Sequence, residues 1–155
     1  MLRVILVALA LPALLSTAGA ADKQSGKNQT RRYINLQRPA NAPRGPFSDA
    51  VLIGDTLYIA GRIGLDPQTG NAPANIDDEI RILLDGIQEV LRSGGMTMDD
   101  LAYVQVFCTD LTLYAKFNDA YKARFTKDFP ARAFIGVASL LRSGRFEMMG
   151  IAHKK

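Results

Sequence analysis

The segment from Phe129 to Lys155, "FPARAFIGVASLLRSGRFEMMGIAHKK", sets two charged residues into otherwise apolar, strand-like runs. Arg132 opens the first run. Glu147 stands in the second, among Phe146, Met148, Met149 and Ile151. A guanidinium offers a rigid fork of donors that matches a carboxylate. A carboxylate set in an apolar wall holds a proton more readily than one in water and can pass it on. Residue type alone leaves two readings open. One is a structural ion pair near the end of a sheet. The other is a pocket in which Arg132 holds an anionic ligand and Glu147 moves a proton.

Other catalytic chemistries find few residues to use. His153 is the only histidine, which leaves no Ser-His-Asp or Cys-His arrangement and no clustered His and Cys for zinc. Cys108 is the only cysteine and lies in an apolar alternating run, so it reads as a core thiol, and no intrachain disulfide can form. Gly61, Gly64 and Gly70 do not make a phosphate-binding fingerprint. The net charge of +4 is mild, and no basic run is interleaved with aromatics, so nucleic acid is not an expected partner. Any chemistry must come from arginine, carboxylate, backbone amides and water.

The elements that would position such a pair can be read along the chain. Residues 1–20 have a basic start (Arg3), an apolar run from Val4 to Leu15 and an Ala18-Gly19-Ala20 end. That layout predicts a secretory signal peptide cleaved before Ala21, and hence a secreted or periplasmic protein with no membrane span after cleavage. Residues 21–30 are polar and aperiodic and read as a flexible leader. Residues 31–155 form one domain. "RRYINL" suits a short strand, and "QRPANAPRGP" is an irregular loop. Ala50–Ile53 and Thr56–Ala60 flank Gly54-Asp55 as a hairpin with a type II′ turn. Asn75 caps a helix whose first turn carries Asp77, Asp78 and Glu79 at the positive end of the dipole. Ile80, Leu83, Leu84, Ile87 and Leu91 recur at helical spacing, and Gly94 or Gly95 ends the helix. Gly86 inside it implies a close approach by a neighbour.

"TMDDL" is a turn with Thr97 as a cap. "AYVQVFCTD" follows as a strand, with Tyr103, Gln105 and Phe107 on one face and Val104, Val106 and Cys108 on the other. "LYAKFNDAYKARF" is a second helix with Tyr114, Phe117, Tyr121 and Phe125 on one stripe and Asn118 beside it. The closing segment reads as a hairpin turning near Leu141–Ser143, which would bring Arg132 within a few residues of Glu147. The whole is α+β: a mixed sheet covered on one face by two helices.

Several ordered blocks resemble the RidA (YjgF) family of reactive intermediate deaminases. They are "GPFSDAV", "LYIAGRIGLDPQTG", "VQVFCTDLTLYAKFNDAYKARF", "FPAR" and "FEMMGIA". The resemblance implies a chorismate-mutase-like fold assembled as a homotrimer, with a pocket at each subunit interface. It implies hydrolysis of enamines and imines to 2-keto acids and ammonia without a cofactor or metal. Carried over position by position, Arg132 matches the arginine that clamps a substrate carboxylate, and Glu147 the acid that handles water or a proton. Asn118 matches a pocket asparagine, and Gly61 and Phe134 fall where family backbone groups hold the ligand. Phe47 replaces the family tyrosine after Gly-Pro and lacks its hydroxyl. Phe134 replaces a cysteine, Gly136 and Met149 replace acids, and Ala60 replaces a serine. The alternative is a secreted trimer that binds small carboxylates without turnover. Ribonuclease or holdase activity fits the residues less well.

Overall fold

Asn75 opens the first helix as expected: its side-chain oxygen accepts the Asp77 amide at 2.9 Å, and α1 (Ile76–Ser93) follows. Ile80, Leu83, Leu84, Ile87, Val90 and Leu91 fall on one buried stripe. Gly94 caps the end, and Gly95 takes a positive φ of 74° to turn the chain away. The computed structural model describes residues 30–36 and 45–154. The expected signal peptide and nearly all of the expected leader lie outside the described residues, as does residues 37–44 of the proline-rich loop.

Six strands form one sheet: β1 (Arg31–Ile34), β2 (Ala50–Ile53), β3 (Thr56–Ile63), β4 (Leu101–Cys108), β5 (Ala131–Gly136) and β6 (Phe146–His153). Their order is β1-β2-β3-β6-β4-β5, and only β4 and β5 run parallel. β2 and β3 turn on Gly54 at φ 56°, the one positive φ in that two-residue turn, as a type II′ hairpin requires. The helix α2 (Tyr114–Lys122) makes the crossover from β4 to β5 and, with α1, covers one face of the sheet.

The alternation expected in β4 is present. Val104, Val106 and Cys108 point into the core, while Tyr103 stays more than a third exposed on the other side. Phe146, Met148 and Ala152 of β6 join them, and Phe117 of α2 packs on Phe146 with ring centroids 5.0 Å apart. Each large side chain buried in this way stabilises the fold by about 1.5–3 kcal/mol. Cys108 is buried here as a core thiol. Its Sγ–H donates to the Asp110 carbonyl at 3.1 Å, and burial raises its pKa.

Two expectations need correction. The closing segment is not a hairpin: β4 lies between β5 and β6. Phe146–His153 alternates buried and outward residues along its whole length and takes a central position, whereas β5, with Ala131, Ile135 and Gly136 exposed, is left at the edge. The second helix ends at Lys122, not Phe125. There the chain turns because Arg124 reaches back to Asp85 and Gln88 of α1 (2.6 Å to each), and Asp99 then holds the Thr126 amide at 2.9 Å. Glu79 lies in the first turn of α1 as expected and is fully buried there, bonded to the start of β6.

Candidate active site

Strand register decides where the sequence-predicted residues go. Arg132 pairs with Val104 and Phe134 with Val106, so both side chains share the helix-covered side of the sheet. Glu147 pairs with Phe107 on one flank and Ile63 on the other, so it shares the opposite side. Val104 also pairs with Gly150, three positions along β6 from Glu147. Arg132 and Glu147 are therefore separated by two inter-strand spacings and three strand residues, roughly 10 Å in each direction. They form no ion pair within one chain. The six predicted residues divide into two sets of three.

The first set is Phe47, Gly61 and Glu147. A β-bulge between Ile59 and Arg62 reshapes β3 beyond the end of β2, and Gly61 sits in it. Glu147 lies against that backbone so closely that a Cβ at position 61 would stand 2.0 Å from Oε1. A larger residue at 61 would push the carboxylate out of this position. These residues line a cavity of about 590 Å³ with Leu141 and Arg142. Arg142 (φ 57°, ψ 32°) and Ser143 (φ 56°) are consecutive non-glycine residues in the left-handed region, at an expected cost of about 1–3 kcal/mol each. That turn carries Leu141, which is 78% exposed, to the cavity's rim.

Arg62 of the same strand points the other way. Its guanidinium fills the space beside Gly86 of α1, where a Cβ would meet Nε at 2.0 Å, and it pairs with Asp49 at 3.5 Å. This is the close approach that a glycine within the helix implied. The neighbour is a side chain rather than sheet backbone.

The second set is Asn118, Arg132 and Phe134. Arg132 donates from Nη2 to Asn118 Oδ1 at 2.7 Å. Its Cζ lies 4.6 Å from the Tyr121 ring centroid, 5.7 Å from Phe134 and 6.0 Å from Tyr114, within the range of cation–π attraction. Phe134 meets Tyr114 edge-on at 4.9 Å and Phe117 at 5.6 Å. Tyr114, Tyr121, Phe129 and Pro130 bound a cavity of about 400 Å³ with Asn118 and Arg132. Two buried donors here have no partner, Arg132 Nη1 and the Tyr121 hydroxyl. Leaving such groups unpaired costs about 1–3 kcal/mol each, which points to a ligand oxygen as the missing acceptor.

Electrostatics follow from this packing. Burial pushes the Tyr121 phenol up to about 12, against the pull of the Arg132 charge. Tyr114 goes the other way. Hydrogen bonding from Asn118, then the charge of Arg132, holds its pKa below that of an ordinary phenol. Tyr114, Tyr121 and Arg142 were not among the predicted site residues. The signal for the first two was present: 114, 118 and 121 are spaced to share one helical face, yet both tyrosines read as core stripe. Arg142 falls in the turn expected near Leu141–Ser143, where nothing in the sequence marked it as a site residue. Among the described residues no group of three His, Cys, Asp or Glu side chains could hold a metal ion.

Residues 37–154 match the family model described as Endoribonuclease L-PSP. The chain is 37% identical over 123 residues to the 2-iminobutanoate/2-iminopropanoate deaminase of Capra hircus, covering 79% of this chain and 89% of the goat protein. Among solved structures, TdcF of E. coli with bound serine superposes with a TM-score of 0.71 at 29% identity, covering 80% of this chain and 100% of TdcF. RidA from an Antarctic Psychrobacter gives 0.71 at 29% identity, covering 79% and 100%.

Proposed function

Because this chain belongs to the Endoribonuclease L-PSP family, which includes RidA and YjgF, we propose that it hydrolyses 2-imino acids and their enamine tautomers to 2-keto acids and ammonia. The observation that carries this reading is Arg132. Its guanidinium is oriented by Asn118 and stacked on Tyr121, and one buried nitrogen is unpaired beside a cavity with room for a small amino acid. A serine occupies the related TdcF structure, and serine carries the same carboxylate that a guanidinium fork recognises.

In this mechanism Arg132 binds the substrate carboxylate. Glu147 takes a proton from water as the water oxygen attacks the imine carbon. The imine nitrogen gains the proton, and the resulting tetrahedral adduct expels ammonia. An imine already hydrolyses in water, so positioning and charge need lower the barrier by only a few kcal/mol. One chain holds Arg132 and Glu147 apart, so the proposal includes assembly. A homotrimer places the Arg132 cavity of one subunit beside the Glu147 cavity of the next. The uncovered sheet face, with Tyr33, Tyr58, Tyr103 and Met149 exposed, supports such an assembly. Export by cleavage before Ala21 is part of the same reading.

The alternative, a trimer that binds small carboxylates without turnover, is favoured by Phe47, which lacks the hydroxyl of the family tyrosine. One experiment decides between them. With 2-iminobutanoate generated in situ, Glu147→Gln is expected to lower kcat by about 10²-fold and change KM little, since the amide keeps the shape but moves no proton. A binder would instead saturate without accelerating imine loss in either protein. A second prediction accompanies it: light scattering at micromolar concentration should give three times the chain mass, and a monomeric mass would overturn the shared pocket.

A further inference from the structure

We propose that Tyr114 is a substrate-facing residue of the Arg132 cavity, its hydroxyl carrying the proton that releases ammonia from the tetrahedral adduct. The proposal deepens the deaminase reading and rests on it.

Tyr114 is the first residue of α2, one turn before Asn118, and the two line one cavity with Arg132. The edge of its ring is fixed against Phe134 at 4.9 Å with an interplanar angle of 88°. Yet 47% of the residue is exposed, whereas Tyr121, one turn beyond Asn118, is 3% exposed. Tyr121 is thus a wall and Tyr114 stands at the mouth. Asn118 spends its carbonyl oxygen on Arg132, which leaves its amide N–H groups to face the Tyr114 oxygen. The charged groups facing that phenol are Arg132 from β5 and Lys122 from its own helix. Both favour loss of its proton, so the hydroxyl is readier to exchange a proton than an ordinary phenol.

The substrate's geometry supplies the second step. In a 2-imino acid the imine carbon is bonded directly to the carboxylate carbon. Once the carboxylate sits on the guanidinium, the nitrogen is one atom beyond the clamp. A hydroxyl beside the guanidinium reaches it. The tetrahedral adduct carries a hydroxyl and an amino group on the same carbon. Tyr114 O–H donates its proton to the amino nitrogen, and the C–N bond breaks with its electron pair leaving on ammonia. The adduct's O–H pair becomes the carbonyl π bond, and the proton it sheds returns to the Tyr114 oxygen. The phenol is regenerated and no other reactant is consumed.

Tyr114→Phe tests this with little structural disturbance, because the ring and its contact with Phe134 are kept. The variant should lower kcat for 2-iminobutanoate by about tenfold to 10²-fold, and should lose the alkaline fall in rate that ionisation of Tyr114 causes. A second readout does not depend on turnover. Titrating tyrosine absorbance with and without 2-oxobutanoate should show one phenol ionising at higher pH when the carboxylate neutralises Arg132, a change absent from Tyr114→Phe. A variant with wild-type kcat and an unchanged pH profile, while wild type hydrolyses the imine, overturns the proposal alone. A wild-type protein that shows the 2-oxobutanoate shift but never accelerates imine loss overturns the deaminase reading, and with it the proton transfer assigned here.

Discussion

Replacing Arg132 with alanine is expected to lower kcat/KM for 2-iminobutanoate by about 10²-fold or more, since charge-assisted hydrogen bonds contribute about 1.5–3 kcal/mol each and a fork makes two. Arg132→Lys should leave most of that loss in place. A lysine ammonium is a point charge that cannot reproduce two parallel donors, nor stack on Tyr121 as the planar guanidinium does at 4.6 Å. The stability readout separates this from a structural role. Arg132 pairs with no carboxylate of Glu147 and keeps one buried nitrogen unpaired, so removing it relieves a desolvation cost while losing one bond to Asn118. The melting temperature should therefore move little. A large fall in melting temperature with activity retained would mean that Arg132 only braces β5 against α2, and would sink the clamp.

Local signals survived the passage from sequence to structure. Asn75 caps α1, Thr97 and Asp100 form a reciprocal cap at 2.8 Å before β4, and Gly54 makes the β2–β3 turn. Each of these depends on a few neighbouring residues whose backbone preferences suffice. Strand order does not. Two consecutive strands with a short connection are adjacent in most sheets, which made the hairpin of Ala131–Gly136 with Phe146–His153 the economical expectation. The outcome was decided by burial. β6 shields one apolar face under α1 and α2 and is central, while β5 is sealed only on the α2 side. No single segment carries that comparison.

Candidate residues could be named from the sequence, but not their arrangement. Arg132, Asn118, Glu147 and Gly61 all lie in cavities, and the resemblance to RidA proteins placed them there by position. Their division into two cavities follows from β4 lying between β5 and β6, which reverses the face on which Arg132 and Glu147 would meet. The same interleaving explains why an acid and a guanidinium can stand in apolar strands without forming an ion pair. Each is packed against its own surroundings, Glu147 on the Gly61 backbone and Arg132 on aromatic rings. Tyr114 and Tyr121 of α2, which their helical spacing had assigned to the core stripe, line the cavity beside Arg132.

Glu79→Ala is expected to destabilise the fold by about 3–5 kcal/mol, the usual cost of stranding a buried charge. Glu79 is fully buried, and three donors converge on it. Oε1 accepts the backbone amides of Arg145 at 2.6 Å and Phe146 at 3.1 Å, and Oε2 accepts Arg145 Nε at 2.5 Å. Arg145 in turn donates to the carbonyls of Pro73 and Ala74, so one carboxylate ties the start of α1, the loop before it and the first residues of β6. Alanine would leave two backbone amides and the Arg145 Nε–H without an acceptor. For a domain of this size the loss corresponds to a fall of roughly 10–20 °C in melting temperature. Pairing Glu79→Leu with Arg145→Met removes the stranded guanidinium and should recover part of the stability, but not all, because the amides of Arg145 and Phe146 remain unpaired. Full recovery in the double variant would show that the side-chain pair, and not the anchoring of β6, carries the effect. Glu147 is the next residue after Phe146, so the anchored backbone also sets the height of the carboxylate over Gly61. At a temperature where Glu79→Gln is still folded, its kcat for 2-iminobutanoate should therefore drop more than its circular dichroism. A variant that is less stable yet turns over at the wild-type rate would uncouple the anchor from the site.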